Sequence, residues 1–341
     1  MKKSKSAAAQ VMKHVKTPSG RALRKEITAS TNSFSESNRS SNTYPSVVRP
    51  GSTPHTKSIE MHKMSIALVR QKLANESQSL VPNDITDSQI VEYLNCTSYD
   101  PDRCVVYLKT AFKTMMDLPQ LFTGRDLTQP EAIQFWNVVY MAAFPKKSKE
   151  GYKFVYFGLK DPDPSHFNTV WNMKMYIMAL EAIVRSSDLV PGFIFILDGK
   201  GMSLSHTPIS QLRFLKKAIG FLQECTLVNM KKIHFVNAST MVERAYSLLK
   251  PLLNTNVTES LFFYSDALML SKVEDPSVLP PELGGTLNGN IPMYTEHLRE
   301  VMESNAQYFK EDEERRLIKF REARKPSNVN DVPTNRRPES T

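Results

Sequence analysis

Residues 192–237 read GFIFILDGKGMSLSHTPISQLRFLKKAIGFLQECTLVNMKKIHFVN, and the order of apolar runs within them decides the fold. Phe193 to Leu197 and Ile233 to Val236 are rich in aromatic and β-branched residues. Each is too short for a core helix and too apolar to face water on both sides, so both read as buried strands. Between them Ile209, Leu212, Leu215, Ile219 and Leu222 recur at helical spacing, which predicts a helix over 207–223. The alternation continues on either side, with strand-like runs at Tyr152 to Phe157 and Leu261 to Tyr264 and helical patterns near 166–186 and 240–253. Short apolar runs alternating with amphipathic helices are the signature of an α/β fold with a mainly parallel sheet.

Upstream, residues 58–128 have a helical pattern. Asp84 to Thr86 followed by Asp87 reads as a helix start, with Ile90, Val91 and Leu94 on one face. Asp100-Pro101-Asp102 starts another helix carrying Val105, Leu108, Phe112 and Met115, and Pro119 and Gly124 close this unit. Downstream, Met293 to about Arg324 reads as one or two helices, apolar at Leu298, Val301, Met302, Tyr308 and Phe309. The run Glu311 to Arg316 sets acids four residues before bases, which is expected of a solvated helix face. The expected domains are therefore a disordered basic tail (1–57), a helical unit (58–128), the α/β domain (129–290), a C-terminal helical extension (291–325) and a polar tail (326–341).

The chain has 341 residues and a formal charge of +9, which on its face suggests nucleic acid or an anionic membrane. Counting by segment removes the first option. Residues 1–57 hold eleven Lys or Arg and two acids, and the remaining 284 residues balance at 33 and 33. The body has no basic stripe, so nucleic acid is not an expected partner, whereas the acid-poor, Ser-rich leader could attract an anionic leaflet or serve as an organellar transit peptide. MKKSKSAAAQVMKHVK lacks the apolar core of a secretory leader, and no run approaches 18 apolar residues, so neither export nor a membrane span is expected. Cys96, Cys104 and Cys225 are odd in number and form no CxxC pair, which suits reduced thiols in the cytoplasm.

Enzyme chemistry finds no foothold. None of the seven histidines sits in a metal-ligand pattern or beside a nucleophile elbow, so no metal, cofactor or catalytic residue is expected. Asp198-Gly199-Lys200-Gly201 fails both as a phosphate loop, because Met202 follows, and as a dinucleotide fingerprint, because the third glycine is missing. His234 reads as a core or pocket-edge residue and His206 as a loop or capping residue. The body is instead rich in bulky, soft side chains, with 17 Phe, 12 Tyr and 16 Met, and 171–180 is bulky on nearly every face. Met241, Ala245, Leu248 and Leu252 form one apolar stripe on the 240–253 helix.

Four segments in this order resemble the CRAL-TRIO lipid-binding family. They are Phe195-Ile196-Leu197-Asp198 with Gly201 and His206; Lys232 to Asn237; Leu249-Lys250-Pro251-Leu252-Leu253; and Leu279-Pro280-Pro281-Glu282-Leu283-Gly284-Gly285, which is similar to the family's LPxEYGG motif with Leu283 in place of the Tyr. Asp87 to Phe122 is similar to the family's N-terminal helical domain. The resemblance implies a CRAL-TRIO fold, with one lipophile held between the sheet and a mobile gate helix. On that basis Tyr156, Tyr176, Leu180, Phe195, Leu204, Leu212, Leu215 and Phe235 are expected to line the cavity, and Met241, Ala245, Leu248 and Leu252 to face it from the gate. Lys231 and Lys232 are candidates for anionic-lipid contact, but Asn229, Asn256, Thr258 and Ser260 stand where relatives carry further bases, which argues against phosphoinositide-triggered release. The implied function is non-enzymatic binding and intermembrane transfer of a retinoid, a tocopherol-like molecule or a phospholipid, by a cytoplasmic monomer with transient peripheral membrane association. The alternative is a catalytically inert interaction or scaffold module that keeps the fold, holds a partner through its tails and has an empty or filled-in cavity without a transferable ligand, with retinoid isomerisation or esterification a third reading.

Overall fold

The computed structural model describes residues 55–76, 79–206 and 209–324, without the side chains of Ile209 and Met241. The 1–57 tail up to residue 54, and everything after 324, lie outside the described residues. The chain starts with helices α1 (Thr56–Met61), α2 (Lys63–Ala74), α3 (Asp87–Cys96), α4 (Pro101–Asp117) and the short α5 (Pro119–Phe122). The start signals act as their chemistry requires. Thr86 and Gln89 form a reciprocal capping box at α3, while Asp100 caps α4 and Pro101 takes the first turn, where its missing N–H costs nothing. Ile66, Val69, Ile90, Leu94, Leu108 and Phe112 are buried together as the core of this unit.

Helix α6 (Pro130–Val138) runs directly into strand β1 (Val139–Lys147), which pairs antiparallel with β2 (Lys153–Leu159). Sequence pattern does not reveal β1, because no glycine or proline separates Val138 from Val139. Next come α7 (Thr169–Arg185), β3 (Phe193–Asp198), α8 (Leu212–Glu224), β4 (Met230–Val236), α9 (Thr240–Leu249), α10 (Thr255–Glu259) and β5 (Leu261–Phe263). Strands β2 to β5 are parallel, and the sheet order is β1-β2-β3-β4-β5. Each crossover thus advances the same way across the sheet, and a constant right-handed crossover places its helices on one face.

Strand parity fixes what each face carries. Val155, Phe195 and Ile233 stand in register, as do Phe157, Leu197, Phe235 and Phe263, all on the crossover face. The other face carries Phe154, Tyr156, Ile194, Ile196 and Val236, packed with Leu270, Leu279, Leu283, Ile291 and Tyr294. That cover comes from turns at 267–287 and from α11 (Ile291–Ser304), after which α12 (Ala306–Ala323) ends the described chain. Two glycines hold these turns. Gly284 has φ 78, and a Cβ on Gly285 would lie 1.9 Å from the Leu279 carbonyl oxygen.

The run Glu311 to Arg316 does not form a solvated face throughout, which corrects the expectation from its charge pattern. Asp312 is 7% exposed and Arg316 1%. Their i,i+4 pairing holds at 2.8 Å but lies inside the molecule, because Arg125 and Glu181 supply the counter-charges. Arg316 donates to the Phe122 carbonyl at 3.1 Å, Gln89 donates to Asp312 at 3.0 Å, and Arg125 stacks 4.8 Å over Phe309. Burial pushes the Glu181 carboxyl up, against its direct pairing with Arg125. Burial would raise Asp312 too, but Arg316 and Arg125 together hold it below the usual carboxylate range. Removing one member of a buried charge cluster leaves the others uncompensated. Asp312→Asn is therefore expected to cost about 3 kcal/mol in denaturant unfolding at neutral pH, whereas Glu311→Gln on the exposed side costs under about 0.5 kcal/mol; equal effects would contradict the buried network.

Candidate functional site

The crossover face of the sheet is not filled by side chains. A cavity of about 300 Å³ lies between Phe157, Phe195, Leu197 and Ile233 on the strands, Met173 and Tyr176 of α7, and Leu215, Ile219 and Leu222 of α8. Leu249, Leu253 and Val257 close it from the α9–α10 side. The helix contributors follow from spacing: 215, 219 and 222 share one face of α8, and 169, 172, 173 and 176 share one face of α7. Burial raises the Tyr176 phenol, so it faces the cavity uncharged. Polar groups gather at one end, where Thr169, Asn172 and His206 join the wall. Beyond them lies a polar groove of about 550 Å³ lined in part by Gln134, His166, Asn168 and Gln211.

The base of α9 is tightly set. Asp198 accepts from Tyr156 Oη at 2.7 Å, Asn237 Nδ2 at 2.7 Å and the Lys200 amide at 2.8 Å, tying the ends of β2, β3 and β4. Asn237 takes φ 51 as the chain leaves β4, and Ser239 caps α9 by accepting from the Val242 amide. Val242, 3% exposed, packs so closely on Gly199 that a Cβ there would lie 2.7 Å from its Cγ2.

These contacts set the rotation of α9 and correct the expected gate face. Leu248 is 47% exposed and points away from the cavity, Ala245 and Leu252 are half-buried and outside its wall, and the Met241 side chain lies outside the described ones. Val242 instead anchors the helix, while Leu249 and Leu253 face the cavity. The expected stripe is off by one residue, about 100° of helix.

Of the expected wall residues, the structure brings Tyr176, Phe195 and Leu215 together. Phe235 is on the same sheet face one row further on, stacked on Phe263 at 5.6 Å, with Tyr246 against Phe263. Leu204 and Leu212 are half-buried outside the wall. Tyr156 is a correction: its register partner is Ile196, so it packs on the opposite face and bonds Asp198. Leu180 is another. It lies one turn beyond Tyr176 on α7 and packs near Tyr93, Met115 and Phe221 toward the helical unit. Unanticipated contributors include Phe157, which strand parity with Phe195 would have supplied, and Leu249 and Leu253, whose phase depends on the Gly199 contact.

Lys232 pairs with Glu274 at 2.7 Å, and His234 Nε2 lies 3.1 Å from the same carboxylate on the opposite sheet face. Against its burial, these two hydrogen bonds hold the Glu274 carboxyl low. Lys232 is thus neutralised by a neighbour, and the Lys231 stem crosses Gly192. Burial pushes the Cys96 and Cys104 thiols up to about 12 and Cys225 up to about 11, so none supplies a thiolate near neutrality. Among the described residues no three His, Cys, Asp or Glu side chains gather as a metal site, and no helix is long and apolar enough to cross a membrane.

A mainly parallel sheet with an apolar cavity roofed by a helix defines the class: an α/β domain that encloses an apolar space beneath a helix. Residues 138–285, from the end of α6 to the Gly284–Gly285 turn, match the family model of the CRAL/TRIO domain. Human alpha-tocopherol transfer protein-like is 25% identical over 224 residues, 64% of this chain and 63% of that protein. Human clavesin-2 is 23% identical over 203 residues, 59% of this chain and 62% of the relative. The chain thus spans under two thirds of the length of these relatives. The crystal structure of Sfh5 aligns over 73% of this chain and 95% of its own, at 13% identity and a TM-score of 0.44.

Because a side chain at 199 must displace Val242, Gly199→Ala is expected to loosen the start of α9. Amide exchange over 240–249 should accelerate about tenfold or more, in line with an overpacking cost of ~1–3 kcal/mol, with the helical unit unchanged. Unaltered exchange in α9 would show that this contact does not hold the helix.

Proposed function

We propose that this chain holds one small lipophile in the cavity under α9 and carries it between membranes without chemical turnover. The observation that carries the reading is the apolar space of about 300 Å³ left between sheet and helices. A scaffold would be favoured by Met and Phe side chains filling that space. Burying ligand surface there gains roughly 25 cal/mol per Å² with no bond formed, and the volume sits at the small end of ligand pockets. That size favours a single-chain lipophile, such as a retinoid or a tocopherol-like molecule, over a two-chain phospholipid.

Release requires α9 and the 250–253 turn to swing from the sheet, which exposes Leu249 and Leu253 to the surroundings. That exposure is costly in water and tolerable against a bilayer, and the outward Leu248 offers α9 an apolar first contact. Membrane docking is thus both the address and the trigger in this reading. Attraction to anionic membranes would come from the bases in 1–57, and deletion of those residues should weaken binding to anionic vesicles at low salt; unchanged binding would remove the tether and leave the carrier.

Native mass spectrometry of protein purified from its own cells, followed by organic extraction, tests the carrier directly. One lipid per chain is expected, and Ile219→Trp, which fills the cavity from α8, should lower uptake from labelled vesicles about tenfold or more at unchanged near-UV circular dichroism. Absence of extractable lipid together with absence of uptake, or undiminished uptake by the filled variant, would contradict it.

A further inference from the structure

The polar end of the cavity holds hydrogen-bond donors that find no acceptor among the described residues. His206, 2% exposed, ends the turn Leu204–His206 and packs edge-on against Phe167 at 5.3 Å. Its Nδ1 lies 3.0 Å from the Ser203 backbone amide and 2.9 Å from Ser203 Oγ. A backbone N–H can only donate, so Nδ1 is an acceptor and the neutral ring carries its proton on Nε2. That Nε2–H is buried without a hydrogen-bond partner among the described residues. Asn172, 7% exposed, presents a second such atom, Nδ2.

The two residues are neighbours by construction. Thr169 Oγ1 reaches the His206 carbonyl at 3.5 Å, and Asn172 follows Thr169 by three residues on the same face of α7. Both line the apolar cavity, and Asn172 also lines the polar groove beyond it. A buried donor left unpaired costs about 1–3 kcal/mol, and a single orphan can be an accident of packing. Two of them, in a cavity whose other polar side chain with an amide, Gln223, is already engaged by the Leu252 carbonyl and the Asn254 amide, define a complementary chemistry.

We propose that His206 Nε2–H and Asn172 Nδ2–H form a two-donor anchor, and that the cavity selects amphiphiles whose polar head is a hydrogen-bond acceptor: a carbonyl, ester or carboxylate oxygen. This rests on the carrier reading and adds the orientation of the ligand, with its tail toward Leu215 and Leu253 and its acceptor head toward the groove. A hydrocarbon of equal length leaves both donors unpaired, and a donor-only head brings them no acceptor. Discrimination therefore resides in the head group, while the apolar walls set the size of the tail.

The test is displacement of Nile red from the full chain by dodecane, methyl dodecanoate and dodecylammonium. The ester is expected to bind about tenfold more tightly than the hydrocarbon, the return on two recovered hydrogen bonds, with dodecylammonium no tighter than dodecane. Asn172→Leu and His206→Phe should each reduce the preference for ester over dodecane to about threefold or less. Since His206→Phe also removes the Ser203 acceptor, the wild-type His206 Nε2–H resonance gives a second readout, expected to shift with the ester and not with dodecane. Equal binding of ester and hydrocarbon, or a preference that survives both substitutions, overturns the anchor while the carrier stands. Displacement by none of the three removes the carrier and the anchor together.

Discussion

A parallel sheet is apolar on both faces and must be covered on both, and this chain meets that requirement unequally. On one face α11 and the 267–287 turns pack Tyr294, Leu279 and Leu283 against Phe154, Ile194 and Ile196, and the buried side chains fill the space. On the other face the crossover helices α7 and α8 stand apart, and the roof is α9 with its following turn. Every feature of the site depends on that shortfall of side-chain volume. The cavity exists because Leu249 and Leu253 roof Phe195 and Ile233 without filling the space above them. In the proposed carrier a ligand completes the packing, and its departure recreates the deficit.

The rigid parts of the molecule sit where the roof is not. The Arg125–Glu181–Asp312–Arg316 cluster locks α12 against α7 and the helical unit, and the Gly284–Gly285 turn locks the filled face. The roof helix, by contrast, is held at its base by one close contact, Val242 on Gly199, and by the Asp198–Asn237 cluster beneath it. Beyond that point Tyr246 lies against Phe263 and Gln223 bonds the Leu252 carbonyl and the Asn254 amide, while Leu248, Glu243 and Arg244 are exposed.

Much of this was legible in the chain. Local rules located the strands and helices, because Asp100-Pro101, Thr86 with Gln89 and the short apolar runs act through neighbours a few residues away. What could not be read are the relations between elements. Tyr156 and Phe195 are both bulky residues on adjacent strands, and only the register, with Val155 and not Tyr156 opposite Phe195, puts them on opposite faces. The apolar arc of α9 is wide enough to hold two neighbouring stripes, and the choice between them is made by Gly199, some forty residues earlier. The i,i+4 pairing of Asp312 with Arg316 was readable; its burial was not, because the compensating charges stand at 125 and 181. The LPxEYGG-like segment shows the reverse case, a motif whose glycines are explained by a 1.9 Å approach that the sequence could only suggest.

The central claim is that one face of the sheet takes up a lipophile and the other does not. Methyl NMR of the full chain during titration with lipid extracted from its source cells tests this most directly. The account predicts shifts confined to Leu215, Ile219, Ile233, Leu249 and Leu253, with Ile194, Ile196, Leu279 and Leu283 unmoved. Shifts spread evenly over both faces, or none in the first set, would contradict it.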